Sequence, residues 1–311
     1  MLDPVRLLLS IPQALVLLVA RRPAAIFTTG GYVAIPVLLA AAVLRIPSVL
    51  WEGNVVPGRS VRFVARRATV VAVSQSETAA ALGHPRTYVT GTPIRSLAGV
   101  DPDEARERFG GRPGERILLV FGGSQAVRRI NDAVLGALPR LVERVRVVHV
   151  TGEDGYAAAL AAREQLPADL RDRYRPAPFL HEDMTAALAA ADLAVGRAGA
   201  STLAEAAAFA LPLAIVPYPH AAGHQRRNAE VHAEAGAGVL VEDDALDAEA
   251  LLEVATLLAD PARHAQMSAA AREVARPAAA EAVAELVMVV AHRDPLPGPA
   301  EVEAIARGRR P

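Results

Sequence analysis

Two α/β domains, each built on a parallel sheet, are what this sequence predicts, on three observations. The chain has 311 residues, enough for two domains of ordinary size. Short apolar runs alternate with helix-forming segments through residues 23–95, and the same alternation restarts at Arg116 after a polar stretch. The runs end in Gly or polar loops, the pattern of βα units whose sheet is covered on both faces.

The most apolar segment, residues 7–20, is interrupted by Ser10, Pro12 and Gln13. It falls short of the roughly 20 residues that span a bilayer, and it lacks the basic start and small-residue cleavage site of a signal peptide. It reads as a helix, either buried or resting partly on a membrane surface. Residues 23–28 then form a strand ended by Thr29-Gly30-Gly31-Tyr32, where the Gly pair permits a tight turn into a helix. Helix 34–44, strand 47–51, the polar loop from Glu52 to Gly58, helix 59–66, strand 69–73, a helix opened by Ser76 and strand 87–90 follow. Gly91-Thr92-Pro93-Ile94-Arg95 closes the first domain, residues 1–95, and a linker at 96–102 leads out of it. Asp101-Pro102-Asp103 spells D-x-D, yet its place ahead of a helix makes it a cap.

The second domain, residues 103–291, opens on strand 116–121, the loop Gly122-Gly123-Ser124-Gln125 and helix 126–138. This loop does not meet G-x-G-x-x-G; its simplest use is to cradle a phosphate at the helix N-terminus, the alternative being a plain βα turn. Further units fall at 145–151 and 174–180. The stretch from Leu193 to Asn228 organises the rest: a strand, the turn Arg197-Ala198-Gly199-Ala200-Ser201-Thr202, a helix bearing Glu205, a second strand, and the loop His220 to Asn228. In an open parallel sheet ligands bind outside the carboxyl ends of the strands, and both polar clusters lie at such ends. Glu205 sits where a carboxylate can accept two vicinal hydroxyls, such as those of a ribose. The alternative is a capping box between Thr202 and Glu205. Ala-rich helices over 247–291 finish the fold, and the Pro-, Gly- and Arg-rich tail, 292–311, is expected to be disordered.

Composition narrows the function. The chain has no Cys, which excludes disulfides, zinc-thiolate sites and a Cys nucleophile together. Residues 1–95 carry ten Arg against Asp3, Glu52 and Glu77, about +7 by count, while the whole chain is at −1. A basic half with exposed apolar surface suits an anionic membrane or a phosphate-bearing substrate. With 4% aromatics and no stacking platform, nucleic acid is not expected as a partner.

Taken together, several loops carry a resemblance: Gly30-Gly31-Tyr32, Glu52-x-Asn54, Gly91-x-Pro93-x-Arg95, Phe121-Gly122-Gly123-Ser124-Gln125, Phe179 to Met184, Arg197 to Glu205 and His220 to Asn228. In this order and spacing the chain resembles glycosyltransferase family 28, and within it the N-acetylglucosaminyltransferases of peptidoglycan precursor synthesis. The resemblance implies a GT-B architecture, two Rossmann-like domains facing a cleft. It implies UDP-N-acetylglucosamine as donor, with Gly122, Gly123, Ser124 and Gln125 at the diphosphate, Phe179 and Leu180 at the uracil, and Glu205 at the ribose. Arg197, Ala200, Ser201 and Thr202 would line the same pocket, and His224, Gln225 and Asn228 would address the sugar. Phe179 and Leu180 as core residues, and His224 as a surface histidine, are the alternatives.

On the acceptor side the resemblance places Gly30, Gly31, Tyr32, Asn54 and Arg95, the last two reaching in from the first domain. Where the family has H-E-Q-N, this chain has Trp51-Glu52-Gly53-Asn54. Glu52 is the carboxylate nominated as base, with loop-structuring as its other reading. The family's Gly-rich His loop is not found at the front, so the N-terminal domain is expected to be incomplete by on the order of 60 to 70 residues. No cofactor and no obligatory metal are expected. The expected partners are a UDP-sugar, a polyprenyl-diphosphate glycolipid, an anionic membrane surface at the inner face of the cell membrane, and a protein supplying the missing front. Three functions remain: the transferase, a catalytically impaired UDP-sugar-binding paralogue, and a UDP-sugar 2-epimerase. The epimerase would need acid and base carboxylates that the His220 to Asn228 loop does not offer.

Overall fold

The computed structural model describes residues 4–97, 99–122, 128–221 and 223–309. The chain divides into two compact units, Met1–Ile94 with Arg276–Pro311, and Arg95–Ala275.

The first unit begins with α1 (Pro4–Arg21), followed by β1 (Ile26–Thr28), α2 (Ala34–Leu44), β2 (Ser48–Glu52), α3 (Arg59–Ala65), β3 (Val70–Val73), α4 (Ser76–Leu82) and β4 (Thr87–Val89). Its four strands are parallel and lie in chain order, with β1 at an edge. Because strand side chains alternate in direction, Leu50, Val71 and Val73 face Leu38 of α2 and Val61 and Val64 of α3. The turn between β1 and α2 needs both of its glycines in the left-handed region, at φ +80° for Gly30 and +79° for Gly31. A Cβ on Gly30 would also stand 2.7 Å from Val61, so this turn admits no side chain there. α1 seats Ala14 and Leu18 against Ala40 and Ala41 of α2. Its other side leaves Leu9, Val16, Leu17 and Val19 more than half exposed. Among the described residues no helix is long and apolar enough to cross a membrane.

The second unit runs α5 (Pro102–Arg108), β5 (Ile117–Phe121), α6 (Arg128–Val142), β6 (Arg146–Val150), α7 (Gly152–Gln165), β7 (Tyr174–Ala177), α8 (Met184–Ala190), β8 (Leu193–Gly196), α9 (Ala200–Ala208), β9 (Leu213–Ile215), α10 (His224–Glu234), β10 (Gly238–Leu240), α11 (Ala248–Ala255) and α12 (Pro261–Val274). Asp101 caps α5 as expected, its side chain accepting from the Asp103 and Glu104 amides. The sheet is wholly parallel in the order β10-β9-β8-β5-β6-β7. Leu118 and Val120 of β5 point to α6 and α11, while Ile117, Leu119 and Phe121 point to α5, α8 and α9. A strand buried on both faces must be apolar throughout, which is why Ile117–Phe121 reads as an unbroken run.

The expected boundaries need correcting at the C-terminal end. α13 (Ala279–His292) and α14 (Pro299–Ala306) belong to the first unit, not to a domain ending at 291, and 299–306 is a helix rather than disordered. Their apolar faces cover the side of the first sheet that α2 and α3 leave bare: Ala282, Leu286 and Val290 of α13 and Val302 of α14 pack on Val49, Val70, Ala72 and Tyr88. The Tyr88 hydroxyl donates to the Pro297 carbonyl at 3.0 Å, fixing the connection between the two helices.

Candidate functional site

The order of the second sheet dictates where a ligand can sit. From β5 the chain builds outward through β6 and β7, then returns to place β8 on the opposite side of β5 and continues to β9 and β10. The turns leaving β5 and β8 therefore diverge, which opens a crevice at the carboxyl ends of these two strands. Phe121 pairs with Gly196 across that point. Hence the segments that begin at Gly122 and at Arg197, far apart in sequence, start side by side. Gly122 is buried at the end of β5; Gly123, Ser124 and Gln125 lie outside the described residues.

The turn after β8 enters α9 through Gly199 in an extended conformation, without a side-chain cap. Ala200, Ser201 and Thr202 form the first turn, with Ser201 exposed. Thr202 is therefore inside the helix, and the capping-box reading of Thr202 and Glu205 falls. The Glu205 carboxylate is 12% exposed and accepts from Arg95 Nε at 2.9 Å. Arg95 also donates through Nη1 to the His181 carbonyl at 3.3 Å. Arg95 thus begins the second unit, a correction to its expected place on the first domain's side.

Arg95 lines a pocket of about 490 Å³ together with Phe121, Val150, Gly152, Glu153, Asp154, Phe179, Leu180, His181 and Met184. Phe179 is 43% exposed, its ring 5.6 Å from that of His181, so the plain-core reading does not hold for it. Leu180 is half-buried and packs on the core formed by Leu119 and Leu188. His181 holds φ +41°, a costly conformation for a residue with a Cβ, at the point where its carbonyl meets Arg95. Nothing in the sequence pointed to Gly152, Glu153 and Asp154 as part of this wall. An acidic first turn on a helix reads as ordinary dipole compensation.

Other expected site residues support the backbone instead. Arg197 is 6% exposed; its Nη1 pairs with Asp243 and donates to the Val216 carbonyl, and its guanidinium lies 5.5 Å from the Tyr218 ring centre. Asn228 is buried and donates to the Ala198 carbonyl at 3.2 Å, tying α10 to the turn after β8. Gln225 accepts from the Tyr218 amide at 3.0 Å. His224 is half-buried at the first position of α10.

In the first unit Gly30, Gly31 and Tyr32 form the turn after β1, with Tyr32 54% exposed. Glu52, the nominated base, is 5% exposed. Its Oε1 accepts from the Asn54 amide at 2.9 Å and from Asn54 Nδ2 at 3.0 Å, and its Oε2 accepts from the Gly58 amide at 3.1 Å. A carboxylate so engaged shapes its own loop, and Asn54 is turned into that loop with it. This geometry favours the loop-structuring reading of Glu52 over that of base. Among the described residues no group of three His, Asp or Glu side chains is placed to hold a metal ion.

One polar cluster beside the pocket was not visible in the sequence. His149 on β6 is fully buried; its Nδ1 is 2.9 Å from the Tyr174 hydroxyl and its Nε2 2.9 Å from Asn131 Oδ1. Burial lowers its pKa to about 3, and burial lowers that of His232 on α10 to about 4. An unfolded histidine takes up a proton near pH 6.5, whereas these two remain neutral in the fold. Their contribution to stability is complete above that pH and is lost as pH falls toward 4 and 3, at up to about 1.4 kcal/mol per group per pH unit. His149→Gln should flatten the pH dependence of urea unfolding of the second unit between pH 6.5 and 4; an unchanged slope would exclude His149 as its source.

Comparison with known proteins agrees with this geometry. The model of the glycosyltransferase family 28 C-terminal domain matches residues 117–285, and that of the family 28 N-terminal domain matches residues 1–73. A UDP-N-acetylglucosamine--N-acetylmuramyl-(pentapeptide) pyrophosphoryl-undecaprenol N-acetylglucosamine transferase from Roseiflexus sp. is 38% identical over 310 residues, covering 87% of this chain and 70% of that protein. The crystal structure of Acinetobacter baumannii MurG superposes with a TM-score of 0.76 at 28% identity, covering 93% of this chain and 81% of that one. A putative UDP-N-acetylglucosamine 2-epimerase from Listeria monocytogenes shares the fold, with a TM-score of 0.68 at 14% identity over 93% of this chain and 80% of that one.

Proposed function

The chain belongs to glycosyltransferase family 28, and on that premise we propose how its second unit holds the donor. Its fold class is GT-B, with two Rossmann-like parallel-sheet domains. It is a UDP-N-acetylglucosamine-dependent hexosyltransferase of peptidoglycan precursor synthesis. It moves N-acetylglucosamine onto the lipid-linked muramoyl-peptide acceptor; the transfer we propose is an inverting one. One observation carries the donor site: the Gly122 and Arg197 turns emerge together at the β5/β8 switch point, with Glu205 a turn and a half into α9.

In this reading the uracil enters the pocket beside Phe179 and Leu180, the ribose hydroxyls meet Glu205, and the diphosphate lies over Gly122 to Gln125 at the start of α6. Ala200, Ser201 and Thr202 contribute the N-terminal amides of α9 to the same anion. In the reaction the acceptor oxygen bonds to the anomeric carbon, the bond from that carbon to UDP breaks, and the acceptor proton passes to a base. The helix N-termini stabilise the charge that gathers on the departing diphosphate. Arg197, Gln225 and Asn228 hold the turns in place rather than touch the sugar. Exchange of Ser124 for Val should weaken UDP about tenfold and uridine less than twofold, as calorimetry would read it, because a lost hydrogen bond to an anion is worth about 1.5 kcal/mol or more; equal losses would contradict the phosphate role.

The acceptor's polyprenyl chain calls for a membrane surface. The exposed Leu9, Val16, Leu17 and Val19 of α1 supply apolar area. Exposed Arg59, Arg62, Arg66 and Arg67 with Phe63 on and beside α3 supply positive charge. Together they fit peripheral attachment to an anionic leaflet. The test of the whole reading is turnover: the purified chain, UDP-N-acetylglucosamine and a short-chain analogue of the lipid-linked acceptor should release UDP. UDP binding without release would favour the non-catalytic sugar-nucleotide-binding reading.

A further inference from the structure

We propose that Arg95 is a positioning residue that makes the donor site select a ribonucleotide over its 2′-deoxy counterpart, by holding the Glu205 carboxylate at a fixed distance from the nucleobase wall of the pocket. The inference rests on the reading of Glu205 as the residue that meets the ribose.

The two groups that Arg95 joins come from distant parts of the sheet. His181 follows β7 and Glu205 follows β8, and the order β8-β5-β6-β7 sets those strands about 14 Å apart at the usual strand spacing. One guanidinium nevertheless meets both: Nε donates to Glu205 Oε1 at 2.9 Å, and Nη1 donates to the His181 carbonyl at 3.3 Å. The two nitrogens are bonded to the same carbon, so the planar fork fixes the gap between its acceptors, which a single ammonium would not. The His181 end is itself firm. His181–Asp183 is one 3-10 turn, the Asp183 amide donates to the Leu180 carbonyl at 2.6 Å, and Asp183 pairs with Arg108. Arg95 and His181 both line the pocket, beside Phe179 and Leu180.

Glu205 owes its selectivity to what Arg95 leaves open. An ionised carboxylate has about four lone-pair sites. Arg95 takes one of them, on Oε1, and among the described residues no other group bonds the carboxylate. The rest of Oε1 and the whole of Oε2 remain for a vicinal diol. A glutamate without such a partner rotates freely, and a ligand that needs both oxygens in one plane must bear the cost of ordering it. Held by the fork, the two oxygens are set before the diol arrives. A 2′-deoxyribose engages the carboxylate through its 3′-hydroxyl alone and so draws less from this preorganisation. Stability alone does not account for the pair: the Arg95 side chain is 46% exposed, and so solvated an ion pair adds little to a fold.

The test compares UDP with 2′-deoxy-UDP by calorimetry on the full chain, since the two differ in one hydroxyl. The wild-type chain should prefer UDP by about tenfold or more, the worth of a hydrogen bond to a charged group. Arg95→Met should reduce that preference to less than about threefold, with UDP losing most and 2′-deoxy-UDP little. Arg95→Lys, which keeps the charge but not the planar fork, should also lose most of the preference, and it decides the matter if Arg95→Met does not fold. Equal losses for the two nucleotides would show that Arg95 acts on parts they share, and would overturn the positioning role. So would a preference kept whole in either folded variant. A wild-type chain that binds both nucleotides alike would instead remove the ribose reading of Glu205 beneath it.

Discussion

Glu205→Ala is expected to weaken UDP binding by about two to three orders of magnitude while leaving the second unit folded. A carboxylate that accepts from two ribose hydroxyls makes two charge-assisted hydrogen bonds, each worth about 1.5–3 kcal/mol. Their loss is the loss of most of the nucleoside's orientation. The fold should tolerate the change. Glu205 sits in the interior of α9, where Ala is the better helix former, and its partner Arg95 is 46% exposed, so the stranded cation remains solvated. Arg95, which lines the pocket, donates to this carboxylate. Calorimetric titration with UDP, alongside thermal unfolding, checks both halves. Wild-type affinity in a folded variant would remove the ribose assignment.

Much of this architecture is legible in the sequence because its strands are apolar through and through and their ends are punctuated. Gly30-Gly31 announced a turn that tolerates no side chain, and Asp101-Pro102 announced a cap. The ends of β5 and β8 were legible for the same reason, since both run into glycine-containing turns, but that the two strands lie side by side was not. What could not be read was which sheet a helix covers. α13 has the same Ala, Val and Leu composition as the helices of the second unit, and nothing local says that its partners are Val49, Val70 and Ala72, more than 200 residues earlier. Side-chain allegiance was equally hidden. Glu52 and Asn54 look like acid and amide available to a substrate until their two-residue spacing is seen to let one bind the other. Thr202 and Glu205 have capping-box spacing, but α9 starts two residues before Thr202. The His149 cluster draws one residue from each of three elements, so no spacing marks it.

Arg197 shows the same ambiguity with the largest consequence for stability. Its expected place was the donor pocket; in the structure its guanidinium is buried against Tyr218 and paired with Asp243, which also meets Arg129 at 3.4 Å. Breaking such a pair from one side leaves the other charge in a poorly solvated site, at a cost of about 3–5 kcal/mol when both are deeply buried. The two sides are not equivalent. Asp243→Ala strands a guanidinium that is 6% exposed, and should destabilise the second unit by about 3 kcal/mol. Arg197→Met leaves Asp243, 18% exposed, with Arg129 still near, and should cost about 2 kcal/mol. At roughly 2–4 °C per kcal/mol for a unit of this size, the two melting points should fall by about 6–12 °C and 4–8 °C. The double variant should fall by less than their sum, because the second change removes the charge that the first had stranded. UDP affinity should drop far less than in Glu205→Ala, since Arg197 acts on the turn that carries α9 rather than on the nucleotide. An Arg197→Met chain with an unshifted melting point and no UDP affinity would return this residue to the donor pocket and leave Asp243 without a structural purpose.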